Sequence, residues 1–214
     1  MDPDKGQRLQ VAVFLSGSGR TLENLLAYRK RDRLDIDIPV VISSRPNVRG
    51  VEIARNAGIE THIITKRSAP APSELSRRVK EAIAHHRIDL FVLAGYLLRL
   101  DVLPEWEWRI IIVHPSLLPL FGGRGMYGNN VHRAVLESGM KVSGATVHFV
   151  NQDYDAGPII MQECVPVEPG DTEDELAARV FDLETRLYPR AIQLFAEGRI
   201  QVVGDRVQVL ARST

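Results

Sequence analysis

Short apolar runs alternate along the chain with longer stretches whose apolar residues recur at helical spacing. Residues 11–15, 38–42, 61–65, 90–94 and 110–114 form five runs of about five residues, rich in β-branched side chains and without polar alternation, as expected of strands covered on both faces. Between them, residues 22–30, 48–56 and 73–85 read as helices, the last with Glu74 and Leu75 in its opening turn. Strands alternating with helices predict right-handed crossovers. The expected class is α/β, a Rossmann-like open, mostly parallel sheet with helices on both faces. The pattern changes after His114. Residues 145–151 and 158–166 read as two longer strands, predicted antiparallel and joined through residues 152–157. Residues 171–196 read as a helix opened by the capping-box-like Asp171-Thr172-Glu173-Asp174. Residues 200–203 and 207–210 flank Gly204-Asp205 and predict a terminal hairpin.

A chain of 214 residues fits a single domain, 1–214, with a core large enough to need no disulfide or metal staple. Lys plus Arg equals Asp plus Glu, 27 each, and no dense basic run occurs, which argues against nucleic acid as the main partner. Arg29-Lys30-Arg31 is interrupted by Asp32 and reads as a solvated helix end. The one cysteine, Cys164, allows no intrachain disulfide, and its neighbours Ile159, Ile160 and Val165 predict a buried strand thiol. The polar start, residues 1–10, lacks the apolar core of a signal peptide, and no run approaches the roughly 18 residues of a membrane span. A cytoplasmic protein without membrane partners is expected.

In an open parallel sheet, ligands sit past the carboxyl ends of the strands, so the loops after Leu15, Ala94 and His114 carry the candidate chemistry. Ser16-Gly17-Ser18-Gly19-Arg20-Thr21 follows the first strand and opens a helix. It lacks the third glycine of a dinucleotide fingerprint and the Gly-Lys-Ser/Thr of a Walker loop. It reads either as a phosphate site, using backbone N–H groups and Arg20, or as a tight turn capped by Thr21. His114 ends the fifth run and is followed by Pro115, a rigid setting for a proton-transferring side chain. Asp153-Tyr154-Asp155-Ala156-Gly157-Pro158 reads either as a solvated turn or as the source of an Asp that orients a histidine or a water. His148 reads as a strand position, and His62, His85 and His86 as surface or strand-end residues. No His/Cys/acid cluster has metal-ligand spacing, so no metal is expected.

Taken together, Ser16-Gly-x-Gly19, Leu93-Ala-Gly-Tyr96, His114-Pro-Ser-Leu-Leu-Pro119, Gly144-Ala-Thr-Val-His148, Asp155-x-Gly-Pro158 and Val165-Pro-Val-Glu-Pro-Gly170 resemble the folate-dependent formyltransferase family over nearly the whole chain. The start near residue 11 and the absence of an extra domain resemble the branch that formylates glycinamide ribonucleotide in purine synthesis, and residues 122–128 resemble a bacterial variant of it. The resemblance implies an enzyme that moves a formyl group from the co-substrate 10-formyltetrahydrofolate to an amine. It implies small-molecule partners, no metal, and a monomer or homodimer. A phosphate-binding half of about 10–110 and a catalytic and folate half of about 111–214 follow from the same likeness. His114 and Asp155 match the family's catalytic His and Asp. The catalytic Asn lies two residues before the His, where this chain has Ile112, which can donate no hydrogen bond. Gly17, Ser18, Gly19, Arg20 and Thr21 match the phosphate loop, with Arg20-Thr21 in place of the commoner Ser-Asn. Pro115 and Glu184 match substrate contacts, Glu184 holding ribose hydroxyls, and the likeness makes His132 a possible contact on the substrate loop. Tyr96, Leu97, Leu98, Val150 and Asp153 match the folate pocket, although Leu97-Leu98 replaces the usual Met-Arg. The alternatives are an inactive or weakly active ligand-binding homologue, suggested by Ile112, and a 10-formyltetrahydrofolate hydrolase.

Overall fold

The computed structural model describes residues 8–212; the polar start, residues 1–7, lies outside the described residues. The elements in order are β1 (Leu9–Leu15), α1 (Arg20–Lys30), β2 (Ile36–Ser43), α2 (Arg49–Asn56), β3 (Glu60–Ile63), α3 (Pro72–Ala82) and β4 (Leu90–Leu93), then β5 (Ile110–His114), α4 (Asn129–Glu137), β6 (Val142–Phe149), β7 (Ile159–Pro166), α5 (Glu173–Ala196), β8 (Ile200–Val203) and β9 (Arg206–Val209). Seven strands form one sheet in the order β3-β2-β1-β4-β5-β6-β7, and β8 and β9 form a separate two-stranded sheet. β1 pairs parallel with β2 and β4, and β2 with β3; β6 pairs antiparallel with β5 and β7. The mostly parallel α/β sheet with antiparallel C-terminal strands and a terminal hairpin therefore matches the sequence pattern. Two of the continuous runs behave as strands buried on both faces, Val11 to Leu15 and Leu90 to Leu93 being buried at every position. The run 61–65 does not, because β3 is an edge strand and is largely half-buried, and β5 is half-buried at Ile112 and Val113.

The chain divides into two compact units after Ile110. In the first, the strand ends are tied by one hydroxyl. Ser16, immediately past β1, accepts a hydrogen bond from Ser44 Oγ past β2 (2.6 Å) and from the Leu97 N–H past β4 (2.9 Å). Phe14 packs against Phe91 and, edge-on, against Tyr96 beneath that end of the sheet. In the second unit α5 packs on β6, β7 and α4, and Tyr188 in its middle donates its buried hydroxyl proton to the Ile111 carbonyl at 2.9 Å.

Three expectations are corrected and one helix is added. Cys164 is exposed: β7 is the sheet's edge strand, and its burial alternates instead of being continuous. The capping box of α5 is shifted by one residue, with Thr172 as the cap and Glu175 as its partner, while Asp171 instead receives two hydrogen bonds from Arg179 at 2.6 and 2.8 Å. Thr21 does not cap α1; the helix starts at Arg20 behind a left-handed Gly19 with no side-chain cap. Helix α4, absent from the pattern reading, follows the glycine-rich loop and is likewise uncapped by any side chain.

Candidate active site

In the second unit β5 delivers its last residue, His114, to the carboxyl end of the sheet. The following Pro115–Pro119 segment is stapled to the neighbouring strands. Thr146 Oγ1 on β6 donates to the Ser116 carbonyl (2.6 Å) and accepts from the Leu118 N–H (3.1 Å), and Gln162 on β7 donates to both Thr146 Oγ1 (2.8 Å) and the Leu118 carbonyl (2.9 Å). The chain then turns back at Phe121, whose positive φ of 54° aims its carbonyl at His114 Nε2, 2.9 Å away. A carbonyl only accepts, so Nε2 carries the hydrogen, and Nδ1 is left facing Asp155 Oδ1 at 3.6 Å.

Asp155 is placed by a turn that only glycine can close. A Cβ on Gly157 would lie 1.8 Å from the Phe149 carbonyl oxygen, so the chain after β6 presses directly onto its own backbone. Asp155 itself has a positive φ of 53°. Its Oδ2 accepts the Gly123 N–H at 2.8 Å, and its Oδ1 lies between His114 and His148, whose Nε2 is 3.8 Å away. Gly122 lets the loop pass close by, since a Cβ there would meet Leu118 Cδ2 at 2.6 Å and Asp155 Cβ at 3.2 Å.

Two histidines join this pair. His148 donates from Nδ1 to the Phe149 carbonyl at 2.8 Å, and its Nε2 is buried without a hydrogen-bond partner among the described residues. Burial holds His148 below the ordinary histidine value, against the raising effects of the Phe149 carbonyl and the Asp155 charge; His114 adds to the lowering. His132, buried in α4, is also lowered by burial; Glu173 opposes this and His114 adds to it. Ile112 stands directly opposite His148 in the β5–β6 register, so the two side chains share a face of the sheet with His114. Ile112 is half-buried, and its side chain presents only methyl and methylene groups to this polar cluster.

Of the other sequence candidates in this unit, Pro115 and Glu184 (on α5) are half-buried, Val150 is half-buried just past β6, and Asp153 is exposed, its N–H bonded to Asn151 Oδ1 at 3.0 Å. In the first unit Gly17 and Thr21 are half-buried, Ser18 and Arg20 exposed and Gly19 buried. Glu23 N–H closes the first helical turn onto the Gly19 carbonyl at 2.9 Å, so the N–H groups of this loop precede the helical ladder, the arrangement that suits an anion. The loop is pressed onto the start of α2: a Cβ on Gly19 would lie 2.4 Å from Gly50 Cα. Tyr96 packs inward and is 7% exposed, and burial pushes its hydroxyl up. Leu97 is exposed and Leu98 half-buried.

Sequence reasoning missed Arg49, which donates to the Ser18 carbonyl at 3.2 Å and pairs with Glu23, adding a second cation beside the loop. It also gave His148 and His132 no shared role, although a histidine inside the apolar run of β6 was a signal of a special position.

Residues 9–192 match the formyl transferase family. The chain belongs to the formyl transferase family. This formyl transferase is 34% identical over 196 residues to the phosphoribosylglycinamide formyltransferase of Escherichia coli, covering 91% of this chain and 90% of that protein. It is 40% identical over 197 residues to the trifunctional purine biosynthetic protein adenosine-3 of Gallus gallus, covering 91% of this chain but only 19% of that longer protein. Among solved structures, glycinamide ribonucleotide transformylase 1 from Symbiobacterium toebii superposes with a TM-score of 0.88 at 39% identity, covering 96% of each chain. No helix among the described residues of this formyl transferase is long and apolar enough to cross a membrane.

The buried histidines give a pH expectation. Both titrate in the unfolded chain near 6.5 and lower in the folded one. Their contribution to stability is complete above 6.5. As pH falls, the unfolded chain takes up the protons first, and stability drops by up to about 1.4 kcal/mol per pH unit for each histidine until the folded values are passed. Carboxylates such as Glu60, held at about 2 by its histidine neighbours, act at lower pH. Urea unfolding at about pH 7 and about pH 5.5 should show this loss, and His148→Asn, which keeps a donor toward Phe149, should reduce it. An equal loss in the variant would refute the assignment to His148.

Proposed function

We propose that this chain transfers the formyl group of 10-formyltetrahydrofolate to the amine of glycinamide ribonucleotide, in the purine pathway of the cytoplasm; a relative is named as a phosphoribosylglycinamide formyltransferase. The observation that carries the reading is the polar group at the end of β5, where Asp155 Oδ1 lies 3.6 Å from His114 Nδ1 and 3.8 Å from His148 Nε2. In the proposed mechanism the substrate amine attacks the formyl carbon, forming a C–N bond while the formyl C=O becomes an oxyanion. The tetrahedral intermediate collapses by breaking the bond to folate N10. One proton leaves the incoming amine and one arrives at N10, so the products are the formylated amine and tetrahydrofolate. Protonated His114 presents positive charge to the oxyanion and hands the proton on, and the Asp155 carboxylate stabilises that charge. No covalent enzyme intermediate is required.

The loop Gly17–Thr21, with Arg20, is the proposed phosphate site, supported by the left-handed Gly19 at the helix start. Arg49 adds positive charge there. Pro115 and Glu184 are the proposed further substrate contacts, Glu184 to ribose hydroxyls. Leu97, Leu98, Val150 and Asp153 are the proposed folate contacts, and Tyr96, packed inward, supports that loop from below. Ile112 occupies the position of an amide donor to the formyl oxygen, so slow turnover is part of the proposal.

The reading is tested by following loss of 10-formyltetrahydrofolate with and without glycinamide ribonucleotide. Loss that requires the amine, with one formylated product per formyl donor consumed, supports transfer. Loss at the same rate without the amine would make the chain a hydrolase and overturn the proposal.

A further inference from the structure

Sequence spacing offers no metal-ligand set, because the residues concerned lie on two segments 25 positions apart. Folding brings them together in the first unit. Glu60 opens β3, the edge strand of the seven-stranded sheet. His85 and His86 follow α3, in a turn closed by the His86 N–H on the Ile83 carbonyl at 2.9 Å. Buried Ile83 and Ile88 anchor the turn on either side. The Nε2 atoms of His85 and His86 lie 3.1 and 3.0 Å from the same carboxylate oxygen, Glu60 Oε2. The other oxygen, Oε1, lies 2.6 Å from His62 Nε2. Three imidazoles thus converge by the same ring nitrogen on one carboxylate, and one ligand atom each from Glu60, His85 and His86 lies within 4.8 Å of the others.

We propose that Glu60, His85 and His86 form a binding site for a divalent transition-metal ion. Imidazole nitrogen with one carboxylate oxygen is a donor set for zinc, copper, nickel or cobalt and a poor one for magnesium or calcium, which prefer oxygen alone. Zinc bonds of about 2.0–2.2 Å place tetrahedral ligand atoms about 3.3 Å apart. Ligand atoms within 4.8 Å of one another therefore need only side-chain movements on the order of 1 Å to close around the ion. His86 is 19% exposed and His85 61%, so the ion is reachable from solvent and a water can complete its shell. The ion would clip the turn after α3 to the edge strand β3. None of these residues belongs to the proposed formyl-transfer site, so this assignment stands or falls independently of that one.

The test uses the full chain without any histidine tag, stripped with EDTA and titrated calorimetrically with zinc, with magnesium as control. The expected result is one zinc per chain, a rise in Tm with zinc but not with magnesium, and at least a tenfold weaker affinity in His85→Ala/His86→Ala and in Glu60→Gln. Far-UV circular dichroism and the metal-free Tm verify that the variants remain folded; should the alanine pair fail this, His85→Asn/His86→Asn replaces it with the same expected loss. Cobalt gives a second readout, a tetrahedral visible spectrum present in the natural chain and absent in the variants. Absence of zinc binding by the natural chain, or binding of equal affinity in the variants, overturns the proposal.

Discussion

Asp155→Asn is expected to lower kcat for formyl transfer by about 10²-fold or more while leaving KM and stability nearly unchanged. The asparagine can still accept the Gly123 N–H, which Asp155 Oδ2 receives at 2.8 Å, so the loop should keep its shape. What is lost is the negative charge facing His114 and His148 at 3.6 and 3.8 Å. In the proposed mechanism the protonated His114 then loses its counter-charge, and proton transfer from the amine to the folate nitrogen is weakened. A large fall in kcat with a similar urea midpoint is the expected pattern. A kcat within about twofold of the natural chain would mean that Asp155 serves only to close the loop.

The fold was legible where one physical rule dominated. Runs such as Val11–Leu15 contain only apolar residues because both faces are covered, and their shortness and β-branched content favour strand over helix. Legibility failed where several rules compete over a few residues. Asp171 and Thr172 are both good caps, and only the geometry of Glu175 chooses between them. Helix α4 has nine residues, no side-chain cap and a glycine-rich approach, so neither periodicity nor a start signal announces it. Cys164 misled because apolar neighbours were read as burial, whereas an edge strand alternates.

The candidate site was legible only in part, for a related reason. His114 and Asp155 stand in short motifs and could be named individually. The partnership of Ile112 with His148 depends on the antiparallel register of two strands, and that of Arg49 with the Ser18 carbonyl on the packing of two helices. Neither can be read from spacing along the chain.

Ile112→Asn is expected to raise kcat by about 10² to 10³-fold, roughly 3 to 4 kcal/mol of transition-state stabilisation, with KM little changed. The position is half-buried and lies opposite His148, so an amide there enters a polar neighbourhood instead of a sealed apolar core. In the proposed mechanism the amide donates to the formyl oxygen as it becomes negative, an interaction made mainly in the transition state. Binding of phosphate, ribose and folate rests on other residues and should be nearly indifferent to the change. Steady-state kinetics on the two proteins checks this; an unchanged or lower kcat in the variant would mean that another group already stabilises the oxyanion.

The most direct test of the central claim, that the group around His114 performs the transfer, is single-turnover formylation of glycinamide ribonucleotide by Ile112→Asn and by Ile112→Asn/His114→Ala. The expected result is formylated product in the first protein and a rate at least about 10²-fold lower in the second, with both still binding the two substrates. Equal rates in the two proteins would contradict the account and move the chemistry away from the end of β5.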